Sequence, residues 1–224
     1  KNAYRDMACR LGRQPMMMDF VRFGDKDPML FIAKKDSFYA FSQYMEPSPS
    51  TLNDAHRAVL KMMSLELANG KRIEEILILR HLLAEPSWST ADLAAETERL
   101  YGFLPSTETM NHAARLLTLQ FFVKTAQQKY GGMPLISFEQ HTYATTPYFE
   151  ALKENAEFTA YVDDILDYGT YRFETLYVQD HPEIVGGFVR YGRYSRKDVS
   201  RILNYETNRE GTLNGRSEEH TSEL

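Results

Sequence analysis

The stretch "RHLLAEPSWSTADLAAETERLYGFLPSTETMNHAARLLTLQFF", residues 80–122, decides the fold class. It begins in a helical pattern that Pro86 stops, and two further helical patterns follow, joined by "LYGFLPS", residues 100–106. Ser89 or Thr90 caps the first of these two helices, because a hydroxyl oxygen accepts a hydrogen bond from a free N–H group at a helix start. The stretch therefore predicts three consecutive helices.

The segment that follows, residues 121–146, has the pattern of a β-hairpin. β-Branched and aromatic residues flank Gly131 and Gly132, which is typical of two strands joined by a tight turn. Three helices followed by a hairpin form the element order of a winged helix-turn-helix, with its recognition-position helix at roughly 107–120. We therefore predict a winged helix-turn-helix-like domain over residues 52–146.

Residues 1–47 contain several short helical patterns. The segment "EPSPST", residues 46–51, carries two prolines and predicts a turn or linker after them. We predict a small helical unit here, with apolar side chains at helical spacing that include Met17, Phe20, Val21 and Phe23. Its core candidates are Leu30, Phe31, Phe38 and Phe41.

Residues 147–215 predict a helical segment and the start of a further C-terminal domain. The helix over 147–179 has one apolar stripe, made of Phe158, Val162, Ile165 and Leu166. The predicted fold class is therefore mainly α with a small β-hairpin. Its parts are a helical N-terminal unit, a winged helix-turn-helix-like middle and a helical C-terminal segment.

The composition of the chain limits the classes of protein to which it can belong. An apolar fraction of 43% in 224 residues is enough for a folded core, and the net charge of −5 excludes a uniformly basic surface. Cys9 is the sole cysteine, so no internal disulfide forms, which favours a reducing compartment. No apolar run approaches the roughly 20 residues that cross a bilayer. We expect a cytoplasmic protein without membrane contact.

No arrangement of residues points to catalysis. The segment "NGKR", residues 69–72, lacks the upstream glycine and the Ser/Thr of a phosphate-binding loop, and the six histidines are scattered. Asp163 and Asp167 stand one helical turn apart around Asp164, which predicts either a carboxylate pair for a metal or, far more commonly, a solvated helix face. We expect no catalytic centre, metal site or cofactor in these residues.

Local charge separates two regions of the chain. Between residues 73 and 120, seven acidic residues stand against three arginines, a net charge of −4. Because DNA binding depends on neutralising phosphates, this domain is interpreted as a packing or protein-contact module, with DNA contact as the alternative. Its candidates for DNA contact are Asn111, His112, Arg115, Lys124 and Lys129.

Residues 186–215 have the opposite balance, with six basic residues against three acidic ones, a net charge of +3. Basic residues interleaved with tyrosines are typical of nucleic-acid contact. The alternative, a solvated basic helix face that pairs with the acidic region 148–183, stays equally open. The predicted nucleic-acid-binding residues are Arg190, Arg193, Tyr194, Arg196, Lys197 and Arg201.

Four stretches carry a resemblance to a known family: "LGRQPMMMDFVRFGDKDPMLFI" (11–32), "SFYAF" (37–41), "SLELANGKRIEEILIL" (64–79) and "YSRKDVSRILNYETNREGTLNG" (194–215). They resemble the C-terminal part of large bacterial superfamily II DEAD/DEAH-box helicases that carry an N-terminal phospholipase D-like domain. The resemblance implies a parent protein that uses ATP and magnesium. The ATPase and nuclease motifs of that family fall outside these stretches, so no catalytic residue is carried over.

The resemblance implies an accessory region that binds or positions nucleic acid and is itself non-catalytic. Its expected partners are DNA, bound weakly and without sequence preference, and the upstream helicase lobes of the same polypeptide. Two alternatives stay open: an interaction scaffold that packs on those lobes without touching DNA, and a winged-helix DNA-binding regulator. We further expect residues 1–215 to be an internal fragment, because "RSEEHTSEL", residues 216–224, resembles a translated sequencing adapter.

Overall fold

The computed structural model of the protein describes residues 2–24, 26–105 and 134–180. These residues are mainly helical and carry a small three-stranded antiparallel sheet, so the predicted fold class is confirmed. Contacts group residues 1–174 into one compact unit and residues 175–224 into a second. Within the described ranges, no helix has the length and apolar character needed to cross a membrane.

Four short helices open the chain and enclose an aromatic cluster. Ser37 caps the fourth of them, because its hydroxyl accepts a hydrogen bond from the Ala40 N–H at 3.1 Å. The four helices are α1 (Asn2–Leu11), α2 (Met17–Phe23), α3 (Met29–Lys35) and α4 (Phe38–Met45). The rings that contact one another between them, with centroids 4.7 to 6.4 Å apart, belong to Tyr4, Phe20, Phe31, Phe38 and Phe41.

Two predicted apolar positions of this unit lie at the surface instead of in the core. Leu30 is 55% exposed and Phe23 is 47% exposed, so the assignment of Leu30 to the core is wrong. Helix α3 turns Phe31 and Ile32 inward, and Leu30 therefore faces outward at the start of that helix. Phe23 is the last residue of α2, one turn beyond the buried Phe20.

The middle of the unit contains three helices and a three-stranded sheet. Asn53 caps the first of these helices by accepting the His56 N–H, and the His56 ring accepts the Asn53 N–H in return. The helices are α5 (Asp54–Glu66), α6 (Ile73–Ala84) and α7 (Thr90–Tyr101). The strands are β1 (Ser87–Ser89), β2 (Ile136–Glu139) and β3 (Thr142–Thr145), in the spatial order β1–β3–β2.

Two helices follow the sheet, α8 (Pro147–Lys153) and α9 (Ala156–Asp180). Thr146 caps α8, with Pro147 at the first helical position, where the missing N–H costs nothing. The predicted apolar stripe of α9 is confirmed as part of the core. Its members are at most 3% exposed: Phe158, Val162, Ile165 and Leu166.

Candidate nucleic-acid interface

The elements α6, β1, α7, β2 and β3 lie in the segment for which a winged helix-turn-helix-like domain is predicted, and we call them the winged-helix elements. Ser89 ends β1 and caps α7, since its hydroxyl accepts the Asp92 N–H at 3.0 Å. Thr90 N–H donates to the carbonyl of His141 at 2.9 Å, which joins the start of α7 to the turn of the hairpin. The recognition-position helix predicted at 107–120 lies outside the described residues.

The described hairpin turns at Gln140 and His141. Strands β2 and β3 are joined through Gln140 and His141, whose φ angles are 47° and 61°. The predicted turn at Gly131 and Gly132 lies outside the described residues and stays a prediction. Because β3 also pairs with β1, through Trp88 opposite Tyr143, the sheet fixes the register of the hairpin.

The described hairpin is short and carries no basic side chain other than a histidine. Residues 136–145 contain no Lys or Arg, and their charged residue is Glu139. A tight two-residue turn also limits how far the hairpin extends from the sheet. Lys124 and Lys129, the predicted basic residues of the wing, lie outside the described residues.

The arginines of α6 and α7 are engaged in ion pairs. Arg80 contacts the Asp167 carboxylate of α9 at 2.8 Å and donates to the Thr170 hydroxyl at 3.2 Å. On α7, Arg99 donates to both carboxylate oxygens of Glu96, at 2.8 and 2.5 Å, and this bond raises the pKa of Arg99. Each arginine is therefore paired with a carboxylate: Arg80 joins α6 to α9, whereas Arg99 forms a surface ion pair within α7.

Helix α9 joins the N-terminal helices to the winged-helix elements through buried polar side chains. Asp164 accepts the N–H groups of Met17 and Met18 at the start of α2, at 2.7 and 3.1 Å. One helical turn further on, Tyr168 donates to the Asp27 carboxylate in the turn between α2 and α3.

The same helix holds α7 through a second buried contact. The Tyr101 hydroxyl, at the end of α7, donates to the Glu174 carboxylate at 3.0 Å. Both residues are buried, so the bond forms away from competing water. Together with the Arg80 ion pair, this contact fixes α6 and α7 on α9.

The three neighbouring aspartates of α9 have three different environments. Asp163 is exposed, as a solvated helix face requires, whereas Asp167 pairs with Arg80 and Asp164 is only 7% exposed. The interpretation of this face as solvated is therefore wrong for Asp164, because that side chain caps a remote helix. In residues 2–24, 26–105 and 134–180, no group of His, Cys, Asp and Glu side chains is arranged to hold a metal ion.

The sequence was compared with models of known protein families. A family model described as a domain of unknown function, DUF8090, matches residues 1–176. The chain belongs to the DUF8090 family. No curated protein matches the sequence. The DUF8090 match spans the N-terminal helices, the winged-helix elements and nearly all of α9.

The predicted nucleic-acid-binding residues lie beyond the DUF8090 match and outside the described residues. They stay predictions, and the structure neither groups nor separates them. The six are Arg190, Arg193, Tyr194, Arg196, Lys197 and Arg201.

A second basic group lies within the DUF8090 match, on the helices that open the chain. It consists of Arg10 on α1, Arg22 and Phe23 at the end of α2, and Lys26 in the turn that follows, all exposed. We call these four side chains the α1–α2 basic patch. A charge count over residues 1–35, with eight basic and four acidic residues, is the sequence signal that marks it.

Proposed function

We propose that this chain is an accessory, non-catalytic region of an ATP-dependent DNA helicase, where it positions nucleic acid beside the motor. The resemblance of residues 11–32, 64–79 and 194–215 to the C-terminal part of superfamily II helicases supports this function. The structural observation that carries it is a set of winged-helix elements fixed to a helical body through α9. ATP and magnesium belong to the helicase lobes upstream, and the compartment is the cytoplasm.

Within this proposal, the basic segment 190–201 contacts DNA and the winged-helix elements contact protein. The described part of those elements favours this division, because Arg80 and Arg99 are paired and the hairpin lacks Lys and Arg. Non-specific DNA affinity comes chiefly from cations that replace counterions along the phosphates. The described winged-helix surface offers few such cations.

A second candidate function is an interaction scaffold that packs on the helicase lobes without touching DNA. It is favoured by the acidic side chains at the surface of α7, which are Asp92, Glu96 and Glu98. Glu74 and Glu75 of α6 are buried. An acidic surface repels the phosphate backbone and complements a basic protein surface. A winged-helix regulator that reads DNA sequence is less well supported, for the same reason.

Changing Arg196, Lys197 and Arg201 together to Ala should flatten the salt dependence of DNA binding. Each phosphate contact contributes about 0.7 to 0.9 to the slope of log K against log salt, so three lost contacts reduce the slope by roughly two to three. The measurement is fluorescence anisotropy of a labelled oligonucleotide over a series of salt concentrations. For wild type we expect a Kd on the order of 10⁻⁴ to 10⁻⁶ M at physiological salt.

The matched control removes three exposed cations elsewhere, by Arg57→Gln, Lys61→Gln and Arg99→Gln. These side chains are about half exposed and sit in surface ion pairs, so the fold should tolerate their loss. An equal loss of slope in the control would show that overall charge, and not the segment 190–201, governs binding. Wild-type protein that shows no salt-sensitive binding at all would favour the scaffold.

A further inference from the structure

We propose that the α1–α2 basic patch is a second nucleic-acid contact, and that it takes single-stranded DNA. The proposal rests on the proposed function, because it adds a contact to a region that positions nucleic acid. It concerns residues other than the segment 190–201, so this proposal and the proposed DNA contact of that segment can be tested separately.

Phe23 is the centre of the patch and is held in a fixed orientation. The Arg10 guanidinium donates to the carbonyl of Phe23 at 3.2 Å and lies 5.1 Å from the centre of its ring. The ring is nevertheless 47% exposed, although exposing a phenylalanine ring to water costs free energy. An aromatic ring that is both oriented and accessible is a surface on which a nucleic-acid base stacks.

The cations around Phe23 supply the second part of the site. Arg10 contacts the ring directly, and Arg22 and Lys26 lie within three residues of Phe23 along the chain. All three cations are exposed. Residues 1–35 carry a net charge of +4, from eight basic and four acidic residues, in a chain whose net charge is −5. Local positive charge of this kind attracts a phosphodiester backbone even where the whole protein is acidic.

Two of the acidic side chains in this segment have partners outside the patch. Asp19 is 4% exposed and is paired with Arg13. Asp27 accepts hydrogen bonds from Tyr168 and Arg172 of α9. The pairing of Asp19 with Arg13 leaves the net charge of residues 1–35 unchanged, whereas Asp27 is paired with Arg172, a cation from outside the segment.

The ring selects a single strand over a duplex. In a duplex the bases stack on each other and offer no face to a side chain, whereas in a single strand each base has an accessible π-face. Arg10 also has a structural role, since a cation at the C-terminus of α2 stabilises the last carbonyls of that helix. That role accounts for Arg10 and leaves the exposure of Phe23 unexplained, so the test changes Phe23, Arg22 and Lys26 and leaves Arg10 in place.

The experiment measures binding of the full chain to a labelled single-stranded oligonucleotide of mixed sequence, by anisotropy over a salt series. Phe23→Leu should weaken binding roughly tenfold with the salt slope unchanged, and Phe23→Tyr should bind like wild type, because tyrosine keeps the ring. Arg22→Gln with Lys26→Gln should reduce the slope by about 1.4, at 0.7 per lost phosphate contact. The charge control is Arg57→Gln with Lys61→Gln, which should leave the slope unchanged.

Equal binding by the Leu and Tyr variants would overturn the stacking contact, and so would equal competition by unlabelled duplex and single strand. Equal slopes for the Arg22/Lys26 pair and the Arg57/Lys61 pair would overturn the phosphate contact. If the change at Arg196, Lys197 and Arg201 abolishes binding while every patch variant binds like wild type, the patch is rejected and the proposed function stands. If the patch variants weaken binding and that triple change does not, the patch is the DNA contact and the segment 190–201 is not.

Discussion

Replacing Gly169 by alanine should lower the free energy of unfolding by about 2 kcal/mol. A Cβ atom at this position would lie 2.5 Å from the carbonyl oxygen of Leu67 and 2.9 Å from Cδ1 of Ile76. The nearer atom is backbone at the end of α5, which moves only if that helix end moves. Overpacking of this kind costs about 3 kcal/mol, whereas alanine recovers about 1 kcal/mol of helix propensity in α9, so the clash decides the sign.

Gly70 faces Gly169 across the contact between the end of α5 and helix α9, so a substitution at Gly70 tests the same contact independently. A Cβ atom on Gly70 would lie 2.6 Å from both the Gly169 carbonyl oxygen and the Phe173 amide nitrogen, and Gly70 also has a φ of +67°. Gly70→Ala should therefore destabilise the protein by more than Gly169→Ala, because left-handed strain of about 1 kcal/mol adds to the clash.

The measurement for both variants is urea unfolding followed by circular dichroism. Gly12→Ala is the matched control, because Gly12 has the same φ of +67° and an added Cβ would meet no atom within 4 Å. It should show the strain without the clash. If Gly169→Ala is as stable as wild type, helix α9 does not lie against the end of α5 as closely as described.

The helices could be predicted because the signals that define them are local. The Ser89 cap lies within three residues of the N–H group that it accepts, and the apolar stripe of α9 repeats at helical spacing within one segment. Strand β1, at Ser87–Ser89, is too short to carry an alternating pattern, and only its pairing with β3 defines it.

The hairpin turn could not be predicted because its residues carry no turn signal. Gln140 and His141 both adopt positive φ angles, a conformation that glycine and asparagine favour. Pairing of β3 with β1 and β2 outweighs that local preference. The cost of a left-handed conformation, about 1–2 kcal/mol per residue, is met by the sheet.

The candidate interface was predictable only in part. The count of charges marks segment 190–201, which stays a prediction, and the same count over residues 1–35 marks the α1–α2 basic patch. Phe23, however, has the spacing of a core residue relative to Phe20, and although Gly24 marks the end of α2, the sequence does not show whether the Phe23 ring is buried. Whether the Phe23 ring is buried or exposed depends on where the end of α2 lies in the tertiary structure.

Asp164 is the clearest case of a role that depends on distant partners. It accepts the N–H groups of Met17 and Met18, which lie 147 and 146 residues away in the sequence. Burial raises the pKa of its carboxyl from 3.8 to about 7, the two N–H groups oppose this rise, and the negative charges of Asp167 and Asp19 add to it. The carboxylate therefore caps α2 at the expense of its own hydration.

Because the folded pKa of Asp164 is above its unfolded value, its contribution to stability is complete below about pH 4 and is lost as the pH rises through 7. This rise in the pKa of Asp164, from 3.8 to about 7, corresponds to on the order of 4 kcal/mol of unfolding free energy. Asp164→Asn stays neutral at every pH and keeps one carbonyl oxygen for the backbone N–H groups. We therefore expect the variant to gain stability relative to wild type, by on the order of 4 kcal/mol, between about pH 4 and pH 8.

The measured quantity is the difference in unfolding free energy between Asp164→Asn and wild type, from urea titrations at a series of pH values. Asp54→Asn, which removes a carboxylate from the exposed start of α5, is the reference for the loss of any acidic group. A difference that rises with pH at Asp164 and not at Asp54 supports a carboxyl that is protonated in the folded protein near neutrality. A difference that stays flat at Asp164 would mean that the N–H groups at the start of α2 outweigh desolvation, and that the carboxylate stays charged inside the fold.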